Sequence, residues 1–381
     1  MACVFTKSAT IENKLTDSAF MLLRNKVNTF RKPNVKGHLR FLLNSLISIA
    51  LMHSVAFASG TTSTKPVEPL VPFLACVWDP LGKSGPGEQL MREAKAVAFR
   101  WGINLSFVVY SDERVAIEEF KLGRCDGVNM LGFRAREFNT LTGSLGAIGA
   151  IPSYEHLGVV IKSLSAPKAA PLMRVGEYEI TGIGPAGAIF MFTRDRSILL
   201  PQDFAGKRMA VLDGIPESAY LSKKYGITPV NSSIFNSFLK FNNGSVDLTA
   251  GPAIIYEPFE LYKGLEPNGG IYAEPFLYIT MQLVARWRKV PEHIPQKTRD
   301  YVLSRYPEFV GFLKRPEATI PEKCWIDIPE HLYDYWSEDF RQSRIELGEL
   351  GIYDQRALTL MRRVRCKLDS ELAECAAHRK E

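Results

Sequence analysis

Apolar positions along this chain change period in a repeating order. Residues 70–77 form a continuous apolar run, the pattern of a strand buried on both faces of a parallel sheet. A loop follows, and residues 88–101 then place Leu90, Ala94, Val97 and Ala98 on one helical face. A strand at 103–110, an amphipathic helix at 112–122 and a strand at 127–131 complete a β-α-β-α-β unit, half of a doubly wound sheet. The same order returns downstream: strand 207–212, helix 216–225, strand 227–230, helix 233–242, strand 246–250. Between the units, 186–193 reads as a strand crossing from one lobe to the other, and 276–285 as the strand that returns. Residues 144–151 and 157–161 read as strands, and 162–172, with two prolines, as a surface loop. The last hundred residues read as helices at 295–305, 330–350 and 354–375, packed on the first lobe or bracing the hinge.

The two units share a motif. Phe120-x-x-Gly123-x-x-Asp126 and Phe241-x-x-Gly244-x-x-Asp247 lie 121 residues apart, each between an amphipathic helix and a short apolar strand. Glycine suits the left-handed residue that ends a helix, where a Cβ would clash. Aspartate suits the turn into the strand. Two such units with a cleft between them favour ligand capture, because ligands bind at the carboxyl ends of parallel strands.

Charge separates the first 58 residues from the rest. They carry eight Lys/Arg and two acids, a net of +6, which is also the net of the whole chain. Residues 59–381 therefore hold 39 basic and 39 acidic side chains. A neutral body argues against a nucleic-acid partner, whose phosphates demand cationic surface. Residues 41–58 add an apolar run ending in Ala56-Phe57-Ala58, so 1–58 has the layout of a secretory signal peptide cleaved after Ala58. The expected organisation is this leader, a flexible segment at 59–69, a first lobe at 70–185, a second at 186–280, and a return to the first lobe with C-terminal helices over 281–381.

Export permits disulfides. Cys366 and Cys375 on one continuous helix would stand about 13 Å apart, beyond bridging distance. Cys324 with one of them is the expected pair, and Cys76 is expected to be simply buried.

Several motifs fail on context. Gly182-x-Gly184-x-x-Gly187 matches a dinucleotide fingerprint but is followed by a strand where a helix is required. Gly82-Lys83-Ser84 lacks the glycine that a phosphate loop needs five residues earlier, where Val77 stands. The loop 78–85 nevertheless precedes a helix, whose free N–H groups, with Lys83, suit an anion. His156, His293, His331 and His378 show no metal spacing, and no G-x-S-x-G elbow is present. No cofactor, metal or catalytic residue is implied.

The second unit resembles a known type. Pro201-Gln-Asp203-Phe-Ala-Gly206-Lys207-Arg208 is similar to the opening of the second lobe in periplasmic solute-binding proteins, especially the receptors of TRAP (tripartite ATP-independent periplasmic) transporters. Gly226 to Val230 and Phe241 to Asp247 fit the same family, while Pro252 to Gly264 resembles a divergent group of solute-binding proteins. The resemblance implies an α/β, two-lobed type II periplasmic-binding-protein fold with a helical C-terminal extension. TRAP receptors place an Arg in the strand after Lys207-Arg208, to pair with a carboxylate; Ala210 stands there in this chain. Arg134 is the substitute cation, and both an organic acid and a larger or neutral ligand stay open.

The expected function is an extracytoplasmic, periplasmic solute-binding protein that closes on a small molecule and delivers it to a membrane transporter or sensor. Expected ligand-binding residues, all at strand carboxyl ends, are Trp78, Asp79, Ser84, Asn129 and Arg134 in the first lobe. Asp213, Asn231, Ser232 and Tyr256 are their counterparts in the second. An exported enzyme and an envelope interaction protein on the same frame are the rival readings.

Overall fold

The structure is a computed structural model and describes residues 69–376; the expected leader, and nearly all of the segment at 59–69, lie outside them. The first lobe opens with β1 (Val71–Trp78), α1 (Pro86–Arg100), β2 (Ile103–Tyr110), α2 (Glu113–Lys121) and β3 (Gly127–Leu131). β1 pairs in parallel with β2 and with β3. The second lobe repeats this with β6 (Arg208–Leu212), α4 (Pro216–Tyr225), β7 (Thr228–Ser232), α5 (Ile234–Asn242) and β8 (Leu248–Pro252), where β6 pairs in parallel with β7 and β8. Short strands β4 (Arg174–Val175) and β9 (Gly270–Tyr272) pair with the long strand β5 (Tyr178–Thr193).

β5 and β10 (Leu277–Arg286) join the lobes. β10 runs antiparallel to β3 and to β5, and β5 runs antiparallel to β8. The resulting sheet has the order β2-β1-β3-β10-β5-β8-β6-β7 among the described residues. The crossing strand begins at Tyr178, eight residues before the expected 186. Register shifts in the β5–β10 ladder lie between Ile279 and Thr280 and between Leu283 and Val284.

The repeated Phe-x-x-Gly-x-x-Asp motif does the same work twice. Phe120 and Phe241 are fully buried. Gly123 and Gly244 take φ of 76° and 77°, open to glycine and strained for other residues. Each Asp then zips its unit to the neighbouring strand. The Asp126 amide donates to the Leu74 carbonyl at 2.7 Å and its carboxylate accepts from the Leu74 amide at 2.9 Å. Asp247 forms the same pair with Arg208, at 2.8 Å each way.

The stretch between the units departs from expectation. Residues 144–151 are turns following the helical turn Thr140–Gly143, not a strand. Residues 157–161 lie inside helix α3 (Tyr154–Ser165), capped by Ser153, whose side chain accepts from the His156 amide. Leu157, Val160, Ile161 and Leu164 fall at helical spacing and are all buried. The expected surface loop at 162–172 is the end of α3 followed by two short helices, and Ala169 is buried.

The C-terminal third forms α6 (Ile294–Ser304), α7 (Tyr306–Thr319), the short strand β11 (Trp325–Ile326) beside β9, α8 (Glu330–Glu349) and α9 (Gln355–Leu368). α6 and α7 pack on β5. Gly182, from the rejected dinucleotide motif, lies within β5, where an added Cβ would meet Val302 and Leu283 at 3.0 Å; its bareness admits α6.

Two disulfides correct the cysteine reading. Cys366 and Cys375 bond to each other, Cα atoms 5.6 Å apart. The helix stops at Leu368 and Asp369 turns extended, so the chain doubles back instead of rising 13 Å. Cys324 therefore pairs with neither. Cys76 is bonded to Cys125, at a Cα distance of 5.7 Å, because β1 lies beside β3 and Cys125 sits just before it.

Candidate functional site

Between the lobes lies a cavity of about 940 Å³. The first lobe contributes Trp78, Leu81, Leu90, Met91 and Phe133; the second, Met209, Ala210, Ile215, Leu221, Ile234 and Phe235; the crossing strands, Ile189, Met191, Ile279 and Met281. Its volume sits near the upper end of ordinary ligand pockets, about 300–1,000 Å³.

Three of the expected residues meet there: Trp78, Asp79 and Asn129. Trp78 is buried at the end of β1. Asn129 holds it in place, its amide accepting from the Trp78 N–H at 2.7 Å and donating to the Trp78 carbonyl at 2.9 Å. The Asp79 carboxylate accepts from the amides of Leu81 (2.9 Å), Gly87 (2.7 Å) and Glu88 (3.2 Å). The anion expected at the amino end of α1 is thus supplied by the protein itself.

The other six do not line the cavity. Ser84 is exposed and its amide donates to Glu88 at 2.7 Å. Asp213 and Asn231 are exposed, and the Asn231 carbonyl accepts from Lys240 at 2.7 Å. The buried Ser232 hydroxyl donates to the Val230 carbonyl and accepts from Lys240. Tyr256 sits in the core, its hydroxyl 3.8 Å from the Cys324 sulfur. Arg134 is not among the lining residues; β3 runs straight into a helical turn, Gly132–Ala135, that carries it. That turn directs its guanidinium to Glu113, with Nε 3.8 Å from the carboxylate. Burial pushes the Glu113 carboxyl up to about 7, against the opposing pull of the Leu131 amide and Arg134.

Two cations reach the cavity among the described residues, Arg305 on the C-terminal side and Arg136, two residues beyond Arg134. Arg136 crosses to the second lobe and forms a two-pronged ion pair with Glu217, in the first turn of α4. It also donates to the Gly143 carbonyl at 3.3 Å and lies 5.6 Å over the Tyr353 ring. A carboxylate in the first turn of a helix is favoured by the helix dipole. Sequence spacing offered no sign of this pair, since its partners are 81 positions apart.

The long helix α8 bridges the lobes and lines the cavity with Tyr333, Trp336, Ser337 and Phe340. Arg344 donates to the Ile148 carbonyl in the first lobe at 3.0 Å. On the second lobe, Asp339 pairs with Lys224 at 2.9 Å and accepts from the Tyr225 hydroxyl, Tyr220 donates to Glu346 at 2.7 Å, and Trp336 donates to the Leu199 carbonyl at 3.0 Å. No helix among the described residues is long and apolar enough to cross a membrane, and no cluster of three metal-ligating side chains occurs among them.

Two α/β lobes, two crossing strands and an interlobe cavity define the fold found in TRAP periplasmic solute-binding proteins. Solved structures share that fold. A TRAP periplasmic solute-binding protein of Ralstonia eutropha with bound (S)-2-acetolactate superposes with a TM-score of 0.64 at 12% identity, covering 78% of this chain and 99% of its own. One from Desulfovibrio salexigens with bound orotic acid gives 0.61 at 13%, over 77% and 97%. The Bordetella pertussis receptor DctP7, which binds pyroglutamic acid, gives 0.57 at 11%, over 77% and 99%. The chain belongs to the family described as "Solute-binding protein AdeT 1/2", whose profile matches residues 75–380. The probable solute-binding protein AdeT1 of Acinetobacter baumannii is 38% identical over 300 residues, 79% of this chain and 99% of that protein. AdeT2 of the same organism is 24% identical over 239 residues, 62% of this chain and all of AdeT2.

Proposed function

We propose that this protein captures a small molecule in the cavity between its lobes, by closure about β5 and β10, and presents it to a membrane transporter or sensor outside the cytoplasm. The observation that carries the reading is the cavity itself, walled by both lobes and by the two strands that link them. A ligand there touches both lobes at once, and so favours the closed arrangement by its differential affinity. Family membership supports the binding role, and the names of the structural relatives support a periplasmic setting. The residues proposed to meet the ligand are Trp78 and Asn129 from the first lobe and the apolar wall of β6 and α4 from the second. Of the other residues expected from the sequence, Asp79 shapes the rim.

A thermal-shift screen over acids, amino acids, sugars, polyamines and lipid-like molecules tests this. A cavity ligand at a hundredfold excess over its dissociation constant stabilises by about 2.7 kcal/mol. The shift is expected to vanish in Ser218→Trp, which fills the cavity from α4, where Ser218 is part of the lining. A hit indifferent to that substitution places the ligand elsewhere and overturns the reading.

A further inference from the structure

Among the described residues, the cavity's cationic side chains are already spent inside the protein; of its carboxylates, Glu217 and Asp79 are engaged and Glu274 stands exposed at the edge. Its lining holds two cationic side chains, Arg136 and Arg305, and neither Lys nor His. Arg136 is engaged by Glu217 through two nitrogens and is itself largely buried. Arg305 is held by Glu308 at 2.6 and 2.7 Å and by Glu93 at 3.2 Å. The Asp79 carboxylate is taken by three backbone amides. Ala210 on β6, buried and facing the cavity, offers a methyl group.

The geometry points to a ligand that is uncharged and mainly apolar, with Glu217 occupying as a built-in group the place a ligand carboxylate would take on Arg136. This rests on the interlobe cavity being the binding site. A carboxylate entering the cavity finds no free cation among the described lining residues, and to reach Arg136 it must displace Glu217, leaving one of two anions buried and unpaired, a costly state. A neutral apolar molecule meets neither obstacle and gains from burial against the Leu, Ile, Met and Phe side chains of the wall. The volume of about 940 Å³ also exceeds what acids as small as acetolactate or pyroglutamate fill.

The test uses three probes that share one ring system: 2-(1-naphthyl)acetamide, 1-naphthylacetate and 2-(1-naphthyl)ethylamine. Each is titrated into the purified chain by calorimetry. The amide is expected to bind one-to-one and at least tenfold more tightly than either charged probe. Glu217→Gln keeps a hydrogen-bonding partner for Arg136 but removes the charge. In that variant naphthylacetate is expected to gain at least tenfold while the amide changes less than threefold. Naphthylacetate binding the natural chain as well as the amide does would overturn the ligand class while leaving the cavity as the site. Failure of all three probes with both proteins would overturn the ligand class by removing its predicted best binder; the Ser218→Trp screen would still judge the cavity separately. The comparison within the natural chain stands even if Glu217→Gln folds poorly.

Discussion

Glu113 lies beneath the end of β3, where its carboxylate accepts the Leu131 amide at 2.6 Å. Burial raises its carboxyl from 4.5 to about 7. A raised folded-state value means the protonated form is favoured by folding. The associated stability is full below pH 4.5, declines as pH rises, and is gone above about 7. By the size of that shift the loss amounts to about 3 kcal/mol. Glu113→Gln is expected to flatten the melting temperature over that window, as measured by calorimetry in a pH series; an unchanged slope would assign the window to other groups. At this scale sequence was a partial guide. Trp78, Asp79 and Asn129, expected near strand ends, line the cavity. Arg134 was expected at the site; nothing in the sequence marked the helical turn at Gly132–Ala135, and Arg136 was not expected there. Tyr256 and Ser232 carry side chains of the right chemistry, but their partners are in the core and on α5.

Elements were legible where period and punctuation agreed. The helix 216–225 was read to the residue because Pro216 opens it and Gly226, at φ 66°, closes it. The strands 103–110 and 127–131 were read equally well. Helix α3 was missed because Val159, Val160 and Ile161 are β-branched, and such residues favour strands by local propensity. The burial of Leu157, Val160, Ile161 and Leu164 overrides that preference. Helix α7 was missed altogether, since it carries Pro316 in its interior. The long helix α8 was foreseen, packed on the first lobe or bracing the hinge; the particular contacts by which it spans both lobes were not, since Asp339 and Arg344 find partners far away in sequence. Asp339→Ala removes the Lys224 ion pair and the Tyr225 hydrogen bond together. It is expected to cost about 1–3 kcal/mol, the penalty for stranding a partly buried donor. A fall in melting temperature of several degrees would show this, whereas no change would mean α8 is held by its other contacts.

At the scale of the molecule, the repeated Phe-x-x-Gly-x-x-Asp motif was the most informative signal, because each copy anchors the same strand junction in its own lobe. The two-lobed frame followed from it. The cavity's character did not, because its apolar wall is drawn from more than a dozen separated segments and its interlobe ion pair joins the distant positions 136 and 217. The account's central claim is that a ligand in this cavity draws the lobes together. Small-angle X-ray scattering of the purified chain, with and without saturating 2-(1-naphthyl)acetamide, tests it most directly. The account predicts a smaller radius of gyration with the probe bound, and none of that change in Ser218→Trp. A probe that saturates the chain by calorimetry while the radius of gyration stays the same would contradict it.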